Sequence, residues 1–94
     1  MSRFITRVEL YGTPSRQDYD NLHAAMEVRG FARTIRGDNG TVYKLPTATY
    51  YGEGLLTPEQ VRQQAANAAF SVWNSCAVFT CEAMDSSWSG LELA

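Results

Sequence analysis

The stretch that decides the fold is Gly30 to Pro46, "GFARTIRGDNGTVYKLP". Asp38, Asn39 and the glycines on either side tolerate positive φ, so "GDNG" reads as the turn of a short hairpin between "FARTIR" and "TVYKL". Gly30 supplies a left-handed helix stop just before it, with Phe31 as the hydrophobic residue beyond the stop. Pro46 ends the second arm, because proline cannot donate to a ladder. A helix must therefore precede the hairpin, and a new element must follow it.

Working toward the N-terminus, Tyr19, Leu22, His23 and Met26 recur at helical spacing, and Ser15 to Asp18 has the spacing of a capping box. Residues 4–11, "FITRVELY", alternate Phe4, Thr6, Val8 and Leu10 against Ile5, Arg7, Glu9 and Tyr11, which predicts a strand with one core face. Toward the C-terminus, "PTATYYGEGLL" reads as a surface connection whose tyrosines extend the preceding strand. Thr57-Pro58-Glu59-Gln60 then opens a second helix with a cap, an N-terminal proline and a capping-box glutamine. Val61, Ala65, Ala68, Ala69 and Val72 form its apolar stripe, and the alanines imply close packing on a sheet. "CAVFTCEAM" is the last strand, and residues 85–94 are a tail with three apolar side chains, Trp88, Leu91 and Leu93.

The order is βαββαβ. Right-handed crossovers then place both helices on one face of a four-stranded antiparallel sheet, an α+β, ferredoxin-like two-layer sandwich over residues 1–94. The other sheet face is left open, with Ile5 and Tyr11 on it, and small domains of this type commonly use that face for a ligand, RNA or a second copy.

Composition narrows the function classes. The chain has 94 residues and net charge −2, and no apolar run reaches the ~18 residues that a membrane span needs. Arg3 and Arg7 interrupt any signal-peptide core, so the expected compartment is the cytoplasm. Cys76 and Cys81 are an odd number apart on a strand, so they point to opposite faces and do not bridge. With His23 the only histidine, no zinc set exists; neither a metal nor a small-molecule cofactor is expected. The glycines match no phosphate-binding loop, and Asp18 with Asp20, two apart on a helix, do not face one another as a catalytic pair.

Charge is uneven. Residues 1–44 carry seven positive side chains against five negative, whereas residues 45–94 carry Arg62 alone against five. Arg7, Arg33, Arg36 and Lys44 are the candidate RNA-binding residues, with Tyr43, Tyr50 and Tyr51 able to stack on bases. Strand parity separates Arg33 from Arg36, so they do not automatically form one patch, and a basic hairpin also protects an edge strand. His23 is the candidate catalytic residue, since an ordinary imidazole pKa near ~6.5 suits proton transfer at neutral pH. The alternative for His23 is a boundary histidine packed beside Tyr19.

"LHAAMEVRGFARTIRGDNGTVYKLP", followed by "TATYYGEGLLTPEQV", resembles the GhoS family of small ferredoxin-like endoribonuclease antitoxins from type V toxin–antitoxin systems. The likeness rests on length, βαββαβ order, a Met-x-x-x-Gly-Phe helix exit, Asp-x-Gly in the hairpin and the start of the second helix, over roughly residues 4–84. It implies selective, metal-independent cleavage of a toxin messenger RNA. An arginine that the family uses on the first helix falls at His23, and family members of unknown role occur in phage regions. Beside this RNA-directed expectation stands a non-enzymatic one, a homodimer through the open sheet face or an edge strand, with Trp88, Leu91 and Leu93 meeting the partner. The acidic balance favours the homodimer, and the resemblance favours RNA.

Overall fold

The computed structural model describes residues 1–94. Its elements are β1 (Ser2–Leu10), α1 (Arg16–Val28), β2 (Thr34–Arg36), β3 (Val42–Lys44), β4 (Thr49–Gly54), α2 (Pro58–Phe70) and β5 (Cys76–Glu82). β1 lies between β4 and β5, antiparallel to both, and β2 pairs with β3 in a separate ribbon. Both helices pack on one side of the sheet. The result is an α+β fold of βαββαβ-like topology, consistent with a ferredoxin-like sandwich.

The local signals produce the elements that they predict. Ser15 Oγ accepts from the Asp18 backbone N–H at 3.2 Å, while the Asp18 carboxylate accepts from the Ser15 N–H at 2.8 Å. Thr57 and Gln60 make the same reciprocal pair at the start of α2. Each box satisfies two backbone donors that a helix end otherwise leaves open. At the exit of α1, Gly30 sits at φ 86°, its N–H donates to Glu27 O, and the Phe31 N–H reaches back to Met26 O. That pair of bonds is the Schellman arrangement, and it drops the Phe31 ring into the core.

The alternation in β1 buries Phe4, Thr6, Val8 and Leu10 beneath the helices. α1 meets them with Leu22, His23 and Met26, and α2 with Val61, Ala65, Ala68 and Ala69. Each large apolar side chain withdrawn this way contributes about 1.5–3 kcal/mol. Thr6 is the polar exception in the strand, and its hydroxyl shares a 2.8 Å hydrogen bond with Thr80 on β5.

One assignment from the sequence is corrected. The hairpin forms, with Thr34 opposite Lys44 and Arg36 opposite Val42, but its second arm is not the sheet strand beside β1. That place belongs to Thr49–Gly54, the segment read as a surface connection, and Tyr50 there is wholly buried. The shift occurs at Ala48, whose φ of 61° is unusual for a residue other than glycine. Its carbonyl accepts from Val8 N–H at 3.0 Å, and Thr49 N–H closes a turn onto Pro46 O at 3.0 Å. Pro46 therefore ends one strand only for the chain to resume in another. The expected fourth sheet strand shrinks to a single bridge, in which Ala32 and Tyr51 exchange two 2.8 Å backbone hydrogen bonds. Gly52 lies under the helix exit, where a Cβ would meet the Phe31 ring and the Gly30 carbonyl at an ordinary contact distance of 3.8 Å.

The tail is tied down. Ala83 N–H donates to Arg3 O, and the Arg3 guanidinium donates to Met84 O. Farther on, Lys44 N–H donates to Glu92 O at 2.8 Å and Ala94 N–H to Val42 O at 3.0 Å, so the last residues add to the free edge of β3. Trp88 meets Tyr43 edge to face, ring centres 5.7 Å apart. Trp88, one of the three tail residues expected to meet a partner copy, thus packs in part on its own hairpin. No helix is long and apolar enough to cross a membrane.

Candidate functional site on the helix-free face

Period-two alternation sends Arg3, Ile5, Arg7 and Glu9 of β1 to the side away from the helices. Their cross-strand neighbours on β4 are Glu53 opposite Arg3, Tyr51 opposite Ile5 and Thr49 opposite Arg7. On β5 they are Cys81 opposite Ile5, Phe79 opposite Arg7 and Ala77 opposite Glu9. Phe79 is 69% exposed, a large aromatic left in water by the open face.

Over the β4 side of this face, the hairpin and the tail enclose a cavity of about 650 Å³. The sheet contributes Arg3, Tyr51 and Glu53, the hairpin Arg36, and the tail Asp85 and Trp88. The Tyr51 phenol donates to Glu53 Oε1 at 2.6 Å. Burial, that bond and the carboxylate charge push the Tyr51 pKa up to about 12, so near neutrality the phenol stays protonated and orients the carboxylate. A second cavity of about 660 Å³ opens on the other flank of the hairpin, where Arg33 and Lys44 stand beside Leu91 and Glu92 of the tail.

The four basic candidates are thus divided. Arg33 and Lys44 share the second cavity, Arg36 joins Arg3 in the first, and Arg7 lines neither, lying on the open face between Thr49 and Phe79. Of the three tyrosines, Tyr51 faces the first cavity and Tyr43 braces Trp88, while Tyr50 is spent on the core.

His23 sits on the opposite side of the sheet. It is 8% exposed, and its Nδ1 shares a 2.7 Å hydrogen bond with the Tyr50 hydroxyl. Burial lowers its pKa below the usual imidazole value, the positive Arg33 lowers it further, and Asp20 partly offsets both. Burial also raises the Tyr50 pKa. The pair is therefore neutral at pH 7, the charges acting on the imidazole are those of Arg33 and Asp20, and His23 lines neither cavity. Tyr19, whose ring centre is 6.5 Å away, packs alongside.

The sequence reading missed the pairing of Tyr51 with Glu53 and the contribution of Asp85 and Trp88. The first had a signal, since residues two apart on a strand share a face, but only if Thr49–Gly54 is taken as a strand. The second had none, because it depends on where a tail returns. No group of three or more His, Cys, Asp or Glu side chains is gathered closely enough to hold a metal ion. Set against known proteins, the chain matches no family model, no curated protein and no solved structure.

Proposed function

We propose that this chain is an RNA-directed protein of the cytoplasm that takes single-stranded RNA across the hairpin, between the two cavities. The observation that carries the reading is the company of Arg3, Arg36, Tyr51 and Trp88 around one cavity on the helix-free face, with Arg33 and Lys44 on the other flank. Guanidinium and ammonium groups hold phosphates, and aromatic faces accept splayed bases; a duplex, whose bases are stacked and paired, offers neither. Resemblance to the GhoS family supports the same reading and extends it to cleavage of a toxin messenger.

A metal-free cut needs a base for the 2′-hydroxyl, an acid for the leaving oxygen and a cation for the phosphate. His23 is the candidate for proton transfer, but only through Nε2, since Nδ1 is held by Tyr50, and RNA would have to reach it from the helix side of the sheet, because it lines neither cavity. The test is cleavage and binding of a mixed cellular RNA pool with and without EDTA, in the wild type, His23→Ala and the double variant Arg33→Ala/Arg36→Ala. Two or three phosphate contacts predict a loss of affinity of about seven- to twentyfold between 50 and 200 mM salt. Discrete cuts that survive EDTA and vanish in His23→Ala support the nuclease; binding without cuts leaves an RNA-binding protein; no salt-dependent binding sinks the proposal.

Phe79 favours a second reading, a homodimer through the open face. Its ring, next to Arg7 and two residues from Cys81, would be withdrawn from water by a second copy. Sedimentation equilibrium decides it: the wild type would be a dimer and Phe79→Glu a monomer.

A further inference from the structure

We infer that the cavity between the sheet, the hairpin and the tail reads a guanine base, with the Glu53 carboxylate as the discriminating group. The inference rests on the RNA-directed reading and specifies which nucleotide its main cavity takes. It starts from charge. Arg3 and Arg36 line this cavity against Asp38, Glu53 and Asp85, so the lining carries more negative than positive charge. Such a lining repels a phosphate from the interior, and phosphates are left to Arg33 and Lys44 on the other flank of the hairpin.

The group that enters must then offer hydrogen-bond donors to a carboxylate, which when ionised only accepts. Guanine offers N1–H and the N2 amino group side by side on its Watson–Crick edge, a matched pair for the two oxygens of one carboxylate. Adenine and cytosine offer one amino group beside an acceptor, and uracil one N–H between two acceptors, so each would place a lone pair against the carboxylate.

Glu53 is the carboxylate that the structure fixes for this work. The 2.6 Å bond from the Tyr51 phenol uses one lone-pair site on Oε1, while Oε2 receives no protein hydrogen bond. A phenol with its pKa pushed up to about 12 keeps that orientation throughout the neutral range. Asp85, by contrast, spends Oδ1 on the Ser86 backbone N–H at 2.9 Å, within its own turn. Trp88, half-buried and braced edge to face by Tyr43, supplies an indole face held in place for a purine. The cavity, about 650 Å³, lies within the ~300–1,000 Å³ of small-molecule sites and suits one nucleotide rather than a helix.

The experiment is fluorescence anisotropy at 50 mM salt with four single-stranded RNA hexamers, UUUUUU and its variants carrying one G, A or C at the fourth position. The G hexamer should bind at least tenfold more tightly than the other three, as expected for one bidentate base contact. Glu53→Gln, at an exposed position, should fold normally by circular dichroism and bring the preference for the G hexamer over the other three below threefold. Tyr51→Phe should weaken the preference partway. Equal binding of all four hexamers overturns the guanine assignment and leaves the RNA-directed reading standing. A guanine preference that persists in Glu53→Gln overturns the role of Glu53. Failure of every hexamer to bind overturns both.

Discussion

The two halves of this molecule are held together by different means. In the sandwich, Phe4, Leu22, Met26 and Tyr50 are fully buried, and most of the side chains withdrawn from water there are apolar. In the layer made by the hairpin and the tail, Ile35 is the one buried side chain, and backbone bonds from Lys44 to Glu92 and from Ala94 to Val42 do much of the holding. Buried apolar area sets global stability, whereas a few solvent-accessible hydrogen bonds set only whether a segment stays in place. The candidate site lies where the layer meets the sheet, so the layer is expected to open without the sandwich unfolding.

The largest effect is expected in the core. Leu22→Ala should cost about 2–5 kcal/mol in urea unfolding, the usual range for a fully buried leucine whose surroundings relax only in part. A loss below 1 kcal/mol would mean that the helices are not the main source of stability.

The polar pair inside that core gives the next effect. Tyr50→Phe removes the partner of His23 Nδ1 and should cost about 1–3 kcal/mol, the penalty of a buried polar atom left unpaired. pH sharpens the same point. The folded state holds His23 below its ordinary pKa, so the unfolded chain takes up the proton first as pH falls; the stability from neutral His23 is present above ~6.5 and is lost on acidification. Tyr50, raised by burial, acts at the other limit: above pH ~10 the unfolded chain ionises first and stability falls again. Unfolding midpoints should therefore drop from pH 7 to pH 5, and the drop should be smaller in His23→Gln; an equal drop in both proteins would place the acid sensitivity elsewhere.

The smallest effect is expected in the layer. Trp88→Ala breaks the edge-to-face contact with Tyr43 and should lower global stability by about 1 kcal/mol or less. Hydrogen exchange should nevertheless speed up selectively at the Lys44 and Ala94 amides, which lock the tail to β3. If the Val8 and Tyr51 amides quickened equally, the two halves would be one cooperative unit.

How much was legible in the sequence follows the same division. β1 and both helices are written locally, in the alternation from Phe4 to Tyr11 and in the Ser15–Asp18 and Thr57–Gln60 boxes, which need only near neighbours. β4 was hidden because glycines at positions 52 and 54 blank out half of its alternation, and because Pro46 stands where strands usually stop. The turn that restarts the chain depends on Ala48 adopting a positive φ, which alanine does not advertise. Of the site, the basic residues of the hairpin were visible, but their division into two flanks depends on the tail returning to β3. Such a return is set by tertiary contact and leaves no periodic trace in the chain.

The position of β1 has a consequence for how the protein comes into being. β1, made before either of its neighbours, is the middle strand of the sheet, and its second neighbour, β5, follows every other element of this fold. Until β5 arrives, Phe4 to Leu10 can be paired along one edge alone, with a row of open amides and carbonyls on the other. Joining strands nearly a chain length apart means paying loop-closure entropy before the contacts repay it, so the final zipping of β5 onto β1 should be the slow step of folding. A nascent or truncated chain that lacks β5 would carry an unprotected central strand, which makes the C-terminal third the segment that guards this protein against sticking to its own copies.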